Sequence, residues 1–501
     1  MRRILRSDNG IALVMVVFII SLAFLFIVAL VNYNNNYRKN VVSTAQMEDA
    51  LKIAEAGYNH YMYYLNQDSD FFKNPQGIDI PGPYGQEGFK PVSLDDGLPV
   101  QYDKTVYRIG DNIIGYYEIR VIQPAVNDEL AIISTGWTAE NENIKKSIRV
   151  KLHKRTFAEY VDFTDSSGDV RWITGNEAHG PVFCNGDILV DGNPTFHDNV
   201  YTAGELKILS GAPNIIGNKY EGKDGIVPAV FPATNTEMEN WAKNGGIHLT
   251  GRTCIFIDGD TLTIRNKNHN DDNAFDAELP RSGVVFVNGP IFISGILDGM
   301  LTVYATEDIY ITAKDPTNFD PTKAAKTGKI QIGSIDYDIG IGYQDTNIPL
   351  NKDASGSGYS DDMLGLISEK NIYVATRTWP TSNAQGYVTY DINSKTRKDH
   401  ITMNNLIIYG ALMSGARSKG GQFTVESYDK IEVRGKVSVY GSKIQNDSRG
   451  PVGTYNSSGM VSGYSKLDWF DYRLKTMSPP HFVEPANSGW EVRSWEEVPN
   501  P

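Results

Sequence analysis

The eight histidines are the residues best suited to metal binding or acid–base chemistry, and their spacing limits what they can do together. They are His60, His153, His179, His197, His248, His269, His400 and His481. No pair has the H-x-x-x-H or H-E-x-x-H spacing that places two imidazoles on one helix face around a zinc ion. We therefore interpret them as loop or structural histidines, and we predict no metal ligand and no cofactor.

The two cysteines, Cys184 and Cys254, limit the sulfur chemistry. Two thiols are too few for a disulfide-built scaffold or for a four-thiolate zinc site. In an exported protein they could form one disulfide if their strands stack side by side. We favour the alternative, in which both are buried and unpaired.

An oxygen-rich segment, residues 266–276 (NKNHNDDNAFD), has the side chains that Ca²⁺ prefers. It lacks the D-x-[DN]-x-[DN]-G-x₅-E spacing of a calcium loop, so we predict a solvated turn. The chain also contains no G-x-S-x-G nucleophile elbow and no P-loop. Paired carboxylates for glycoside cleavage stay open, because sequence spacing cannot locate such a pair. We predict that the protein is not an enzyme and has no catalytic residue.

Composition narrows the class of protein. The 501 residues carry a formal net charge of −13, which argues against nucleic acid as a partner because such surfaces are basic. The chain has 47 glycines and 28 tyrosines, which favours many short strands joined by tight turns. We expect a mainly β protein.

The elements that position these residues begin with an apolar run. Residues 11–31 are apolar except for Ser21, and as a helix they would span roughly 32 Å, close to the hydrocarbon core of a bilayer. Arg2, Arg3 and Arg6 precede the run, which predicts a cytoplasmic N-terminus and an extracytoplasmic remainder. We predict a single-pass protein of the cell membrane. A cleaved secretory signal is the competing interpretation.

The junction Asn9-Gly10-Ile11 follows a short basic leader, residues 1–10. It resembles the class III signal of type IV pilin-like proteins. The resemblance implies that a prepilin peptidase cuts after Gly10 and that Ile11 becomes the methylated N-terminus. Most pilins carry Glu five residues after the cut, where this chain has Met15; forms without it occur among minor pilins of the PilX type and large secretion pseudopilins. The alternative is a plain, uncleaved single-span anchor.

The helix is predicted to continue to residue 66, because neither Gly nor Pro occurs from residue 11 to residue 56. Its outer part carries an apolar seam with steps of 4, 3, 4, 3 and 4, formed by Met47, Leu51, Ala54, Tyr58, Tyr61 and Leu65. The block Ala54-Glu55-Ala56-Gly57 is similar to PilX-type N-termini, a resemblance that covers residues 1–66. Met15 and Glu55 are the candidate assembly positions. For Glu55, a solvated carboxylate is the alternative.

Residues 67–155 predict a small β head. Strands are expected at 115–123, 130–138 and 144–154, in an antiparallel meander against the helix.

From residue 156 to residue 475 a nine-residue pattern recurs, at 182–190, 255–263, 285–293, 303–311, 366–374, 406–414 and 431–439. Five copies have glycine in the fifth place: Gly186, Gly259, Gly289, Gly410 and Gly435. We interpret each copy as a strand, a corner and a strand, with glycine at positive φ. Stacked copies predict a β-solenoid resembling a parallel β-helix, with a C-terminal tail at 476–501. The alternative is a β-sandwich with Asn-Gly hairpins.

Three blocks in this region, 180–202, 283–312 and 449–482, resemble a domain of unknown function that follows PilX-type N-termini in bacterial surface proteins. Together the features indicate a membrane-anchored, pilin-like surface protein, an accessory or tip subunit of a type IV pilus or secretion pseudopilus. Its expected partners are the membrane, the prepilin peptidase, other pilin-like subunits and an unknown surface ligand. The alternatives are a static adhesin on an uncleaved anchor and a membrane-tethered, carbohydrate-active β-helix enzyme.

Overall fold

The computed structural model describes residues 9–68, 71–73, 88, 91–93, 100–122, 130–352, 358–384, 386–390, 403–417, 419–456 and 459–499. The chain divides into two compact units. The first contains Met1–Pro124, Glu129–His153 and Trp490–Pro501, and the second contains Ala125–Asp128 and Lys154–Gly489. The protein is mainly β, with one long N-terminal helix, a small antiparallel sheet and large parallel sheets.

Helix α1 spans Asn9–Gln67, 59 residues, or about 88 Å at 1.5 Å per residue. The prediction of one continuous helix is confirmed. The asparagines at 32 and 34–36 are poor helix formers but do not interrupt it, because the flanking residues have good propensity and no glycine or proline intervenes before Gly57. Ser21 and Thr44 donate their hydroxyl hydrogens to carbonyls four residues back, which satisfies these polar groups within the helix.

The first unit also contains a six-stranded sheet. Its strands, in spatial order, are β1 Pro91–Ser93, β2 Val100–Ile109, β3 Asn112–Ile122, β4 Leu130–Thr138, β5 Asn141–Lys154 and the C-terminal strand Trp490–Val498. Strands β1 to β5 pair antiparallel in chain order, which confirms the meander. Strands β1 and β2 and the C-terminal strand were not among the strands predicted from the sequence.

The second unit begins with short strands: β6 Asp162–Thr164, β7 Trp172–Ile173, β8 Glu177–His179, β9 Val182–Cys184, β10 Ile188–Asp191, β11 Thr195–Phe196, β12 Val200–Thr202, β13 Leu206–Ser210, β14 Asn214–Ile215 and β15 Lys219–Tyr220. Helix α2 follows at Thr236–Lys243.

The remaining strands are β16 Ile247–Thr250, β17 Thr253–Gly259, β18 Thr261–Asn266, β19 Ala274–Glu278, β20 Val284–Asn288, β21 Ile291–Leu297, β22 Met300–Ala305, β23 Ile309–Ile311, β24 Lys329–Ile332, β25 Ile335–Tyr343, β26 Met363–Ser368, β27 Ile372–Val374, β28 Thr378–Pro380, β29 Tyr387–Thr389, β30 Leu406–Ser414, β31 Phe423–Val425, β32 Val433–Gln445, β33 Gly453–Asn456, β34 Gly459–Lys466 and β35 Asp468–Trp469.

One ladder of parallel strands runs through the second unit in the order β16, β20, β22, β26, β30, β32, β6, β9, β12, β15. The chain therefore enters in the middle of the ladder, where β6 pairs with β32. The strands that follow β6 in the chain extend the ladder to one end at β15. Residues 221–246 then cross to the other end, where β16 begins. The crossing segment is fixed by hydrogen bonds between Asn185 and Ala229 and by stacking of Phe231 on Phe157.

Like residues stack on like residues between neighbouring strands. Ile291, Ile309 and Ile372 are partners in successive strands and are all fully buried, and Phe292, Tyr310 and Tyr373 form a stacked row beside them. Such rows bury a continuous apolar core that no single strand pair could bury alone. The parallel pairing confirms the predicted stacking of copies and differs from the antiparallel hairpins of the β-sandwich alternative. The closed winding of a β-helix stays a prediction.

Three copies of the repeat do not form two strands joined by a corner, and in one of them, at 431–439, Gly435 lies inside the single strand β32 at φ +86°. The copy at 255–263 is an antiparallel hairpin, in which β17 pairs with β18 and Gly259 forms the turn at φ +66°. The copy at 406–414 is the single strand β30, with Gly410 inside it at φ +135°. Gly186 does not have a positive φ, so the expected backbone role of the fifth-place glycine is wrong there.

Candidate functional site

The N-terminal half of α1 presents an apolar surface. The side chains from Leu13 to Val31 are exposed, including Phe18, Phe24 and Phe26. Within the described part of the chain, this is the one helix long and apolar enough to cross a membrane. An isolated apolar helix of this length is unfavourable in water, so it needs lipid or other helices around it.

The predicted processing and assembly residues lie at separate places on α1. Gly10 is its second residue and Ile11 its third. Met15 is 64% exposed on the apolar half, whereas Glu55 is half-buried on the half that packs against the sheet. The 40 positions between residues 15 and 55 correspond to roughly 60 Å along the helix axis. The structure therefore does not bring Met15 and Glu55 together.

The outer half of α1 packs on β3 and β4, and its small residues allow the close approach. Ala50, Ile53, Ala54, Tyr61 and Leu65 are buried there. Within the block Ala54-Glu55-Ala56-Gly57, it is Ala54 and Gly57 that face the sheet. A Cβ added at Gly57 would lie 2.5 Å from Ser134 Oγ, closer than any real contact. The buried face shares Ala54, Tyr61 and Leu65 with the predicted seam, whose first residue, Met47, is exposed.

Under the helix, His60 lies in a cluster of aromatic rings. Its Nδ1 is 2.5 Å from the Tyr117 hydroxyl, and its ring lies against Tyr64 and Tyr117. Burial lowers the pKa of His60 to about 4, so the imidazole is neutral near pH 7. This histidine is part of the core of the first unit, as the structural interpretation of the histidines expects.

The two cysteines are buried free thiols, which confirms the favoured interpretation. Burial raises the pKa of Cys254 to about 12 and raises that of Cys184 as well. Both sulfurs are therefore protonated near pH 7, and neither provides the thiolate that nucleophilic chemistry needs.

The oxygen-rich segment 266–276 is not a simple solvated turn, and this expectation is wrong. Asn266 is fully buried and donates from its amide nitrogen to Thr250 O and Thr253 Oγ1. The Asp272 carboxylate accepts two hydrogen bonds, of 2.7 and 2.8 Å, from Nη2 of the buried Arg252. Asp272 of this segment therefore pairs with a buried cation of the protein.

Parallel stacking brings together three groups that the sequence separates. His179 Nε2 and His197 Nε2 lie 3.1 and 3.2 Å from the same oxygen, Glu177 Oε2. The two imidazole rings are stacked, with centroids 4.1 Å apart. Burial, with the neighbouring His197, lowers the pKa of His179. The sequence spacing rules missed this group because they describe ligands on one helix, whereas these residues lie on adjacent strands.

No protein-family model matches the chain, and no curated protein matches its sequence. Among solved structures, the chain is similar to the crystal structure of the competence-associated pilin ComZ from Thermus thermophilus. The identity is 12%, the match covers 90% of this chain and 97% of that one, and the TM-score is 0.27. A TM-score of this size carries no conclusion about fold or function.

Proposed function

We propose that the protein is a membrane-anchored, pilin-like surface protein that acts as an accessory or tip subunit of a type IV pilus or a related secretion pseudopilus. The observation that carries the proposal is the division of α1. Its first half presents apolar side chains to the surroundings, and its second half is built into the core of a small antiparallel sheet. The proposal requires no catalysis.

The N-terminal sequence supports processing by a prepilin peptidase. Gly10 follows a basic leader and precedes the apolar run, and α1 extends across this junction. Cleavage after Gly10 would leave Ile11 as a methylated N-terminus at the start of the membrane segment. The rest of the helix would then anchor the chain before assembly and pack among other pilin-like helices afterwards.

The size of the second unit supports an accessory or tip position. Lys154–Gly489 forms one compact unit with its own cores, far larger than the six-stranded sheet that packs on α1. A head of this bulk on every subunit would crowd a thin filament. Low copy number or a place at the tip avoids that crowding and displays the β-rich unit to a surface ligand.

Shearing of surface filaments tests this function. Cells expressing the full chain are sheared, and the chain is quantified in the filament fraction against the major subunit. We expect a small, reproducible fraction of the chain with the filaments, and its loss in Gly10→Val. Gly110→Asn, at an exposed turn between β2 and β3, is the matched control and should leave the fraction unchanged.

Met15 favours a second candidate, a static surface protein on the same anchor. It places an exposed apolar side chain where most pilins carry a glutamate. Packing in a filament would therefore bury no polar side chain at that position. A static, uncleaved anchor predicts that the chain stays wholly in the membrane fraction after shearing.

A further inference from the structure

Two imidazoles and one carboxylate converge on the outer face of the second unit. Glu177 and His179 belong to β8, and His197 directly follows β11, which pairs with β8 in parallel. Because Ala178 is the partner of Phe196, the next residues, His179 and His197, lie side by side. The nitrogen Nε2 of each ring points at Glu177 Oε2, at 3.1 and 3.2 Å.

The spacing of these donors matches a small metal ion. The three ligand atoms lie within 4.8 Å of one another. Zinc bonds of about 2.0–2.1 Å in a tetrahedron separate neighbouring ligand atoms by roughly 3.3 Å. The two nitrogen–oxygen distances, 3.1 and 3.2 Å, are slightly shorter than that value, so an ion enters once the Glu177 carboxylate retreats slightly. Its side chain is 48% exposed and has room to do so.

The scaffold holds one ring firmly and leaves the other adjustable. His179 is 14% exposed and is stacked on Trp469, with centroids 3.8 Å apart and planes 9° apart. Trp469 is in turn stacked on Tyr440, so a row of rings supports His179 from below. His197 is 34% exposed, which allows its ring to tilt from the stack and direct its nitrogen lone pair at the ion. Solvent reaches the remaining coordination positions.

We propose that Glu177, His179 and His197 form a binding site for a divalent transition-metal ion, with Zn²⁺ as the best fit. Two imidazoles and one carboxylate are a donor set that zinc takes, with water completing the tetrahedron. The ion links β8 to the strand beside it. It therefore cross-links neighbouring strands near the end of the stack that β14 and β15 form. This site is independent of the membrane anchor and of the pilin-like assembly proposed above.

Equilibrium dialysis of the full-length protein in detergent micelles against ZnCl₂ tests the site, after treatment with a chelator. We expect one Zn²⁺ per chain in the wild type, and at least tenfold weaker binding in His197→Gln and in Glu177→Gln. His269→Gln changes an exposed histidine elsewhere in the chain and is the matched control; it should bind like the wild type. Co²⁺ in place of Zn²⁺ should give the visible absorption bands of a four-coordinate site in the wild type and in His269→Gln, but not in the two site variants.

Thermal unfolding with and without ZnCl₂ distinguishes a lost site from a damaged fold. We expect Zn²⁺ to raise the melting temperature of the wild type and of His269→Gln, because a ligand that binds the folded state stabilises it. The two site variants should melt near the metal-free wild type and should not respond to Zn²⁺. Equal Zn²⁺ affinity in wild type and His197→Gln, or absence of one-to-one binding in the wild type, would overturn the proposal.

Discussion

Gly136 of β4 lies directly against the backbone of Ala54 in α1. A Cβ added at Gly136 would lie 2.3 Å from the backbone nitrogen of Ala54 and 2.5 Å from the carbonyl oxygen of Ala50. The helix therefore rests on a strand position that has no side chain. This contact explains why the small residues of the Ala54–Gly57 block face the sheet while Glu55 does not.

Gly136→Val should weaken the attachment of α1 to the sheet. Valine would meet backbone atoms, which cannot move aside as a flexible side chain would, so we expect a loss of about 3 kcal/mol or more. Gly110→Asn is the control, because nothing lies within 4 Å of that position and asparagine tolerates its φ of +61°. Denaturant unfolding of the first unit, followed through the signal of its tryptophans, measures the stability of both variants. Equal midpoints for the two variants would contradict the close contact.

Gly289→Ala should destabilise the second unit, and Gly186→Ala should not, although both glycines hold the same place in the repeat. Gly289 has φ +152°, and its Cβ would lie 2.7 Å from the carbonyl carbon of Gly251. At Gly186 the nearest atom is 3.6 Å away and φ is not positive. We expect a cost of about 2–4 kcal/mol at position 289 and less than about 0.5 kcal/mol at position 186.

Denaturant midpoints of residues 154–489, expressed alone, decide between these two positions. If Gly289→Ala unfolds at the wild-type midpoint, the corner is not constrained, and the interpretation of the repeat loses its best example.

Asp272→Ala should destabilise the second unit by about 3–5 kcal/mol, because it leaves the buried Arg252 guanidinium without its carboxylate. Asp271→Asn is the matched control. Asp271 is the adjacent, exposed residue and also has positive φ, which asparagine accepts, so its effect should stay within about 0.5 kcal/mol. Urea midpoints measure both variants. If Asp272→Ala leaves the urea midpoint unchanged, the solvated-turn interpretation is restored.

Lys466→Met should stabilise the second unit at and below neutral pH. Burial and the neighbouring cations of Lys443 and Arg449 lower the pKa of Lys466 to about 7. The unfolded lysine titrates near its ordinary value of about 10.4, so between about pH 7 and pH 10 the unfolded chain binds more protons. The contribution of Lys466 to the free energy of unfolding therefore rises with pH between about pH 7 and pH 10. It is lowest below about pH 7.

At pH 6 the free energy of unfolding of the methionine variant should exceed that of the wild type by about 1 kcal/mol or more. This difference should shrink as the pH rises towards 9. The gain is reduced because the lysine ammonium also donates to Gly450 O at 2.6 Å, and that carbonyl loses its donor. Lys352→Met, at an exposed position, should show no such trend. A difference that does not change with pH would argue against the lowered pKa.

Local patterns predicted the elements well, and distant pairings account for what they missed. The absence of glycine and proline predicted α1, and alternation predicted β4 at its observed bounds, Leu130–Thr138. The strand Trp490–Val498 exists because it pairs beside β5, and nothing local indicates a partner so far away in the sequence. In the same way, the repeat predicted stacking but not that β6 lies beside β32.

The residues of the proposed metal site show the same limit more sharply. His179 and His197 are 18 positions apart, and no helix or hairpin spacing rule connects them. They become neighbours because β8 and β11 pair in parallel with a particular register. A one-residue change of register would move either histidine to the opposite face.

The mass of the mature N-terminus tests the central claim most directly. Full-length protein purified from cells with an active prepilin peptidase is digested, and its N-terminal peptide is measured by mass spectrometry. We expect the peptide to begin at Ile11 with one added methyl group, and we expect Gly10→Val to retain residues 1–10. A wild-type peptide that begins within the leader, without methylation, would contradict the pilin-like account and leave the static anchor.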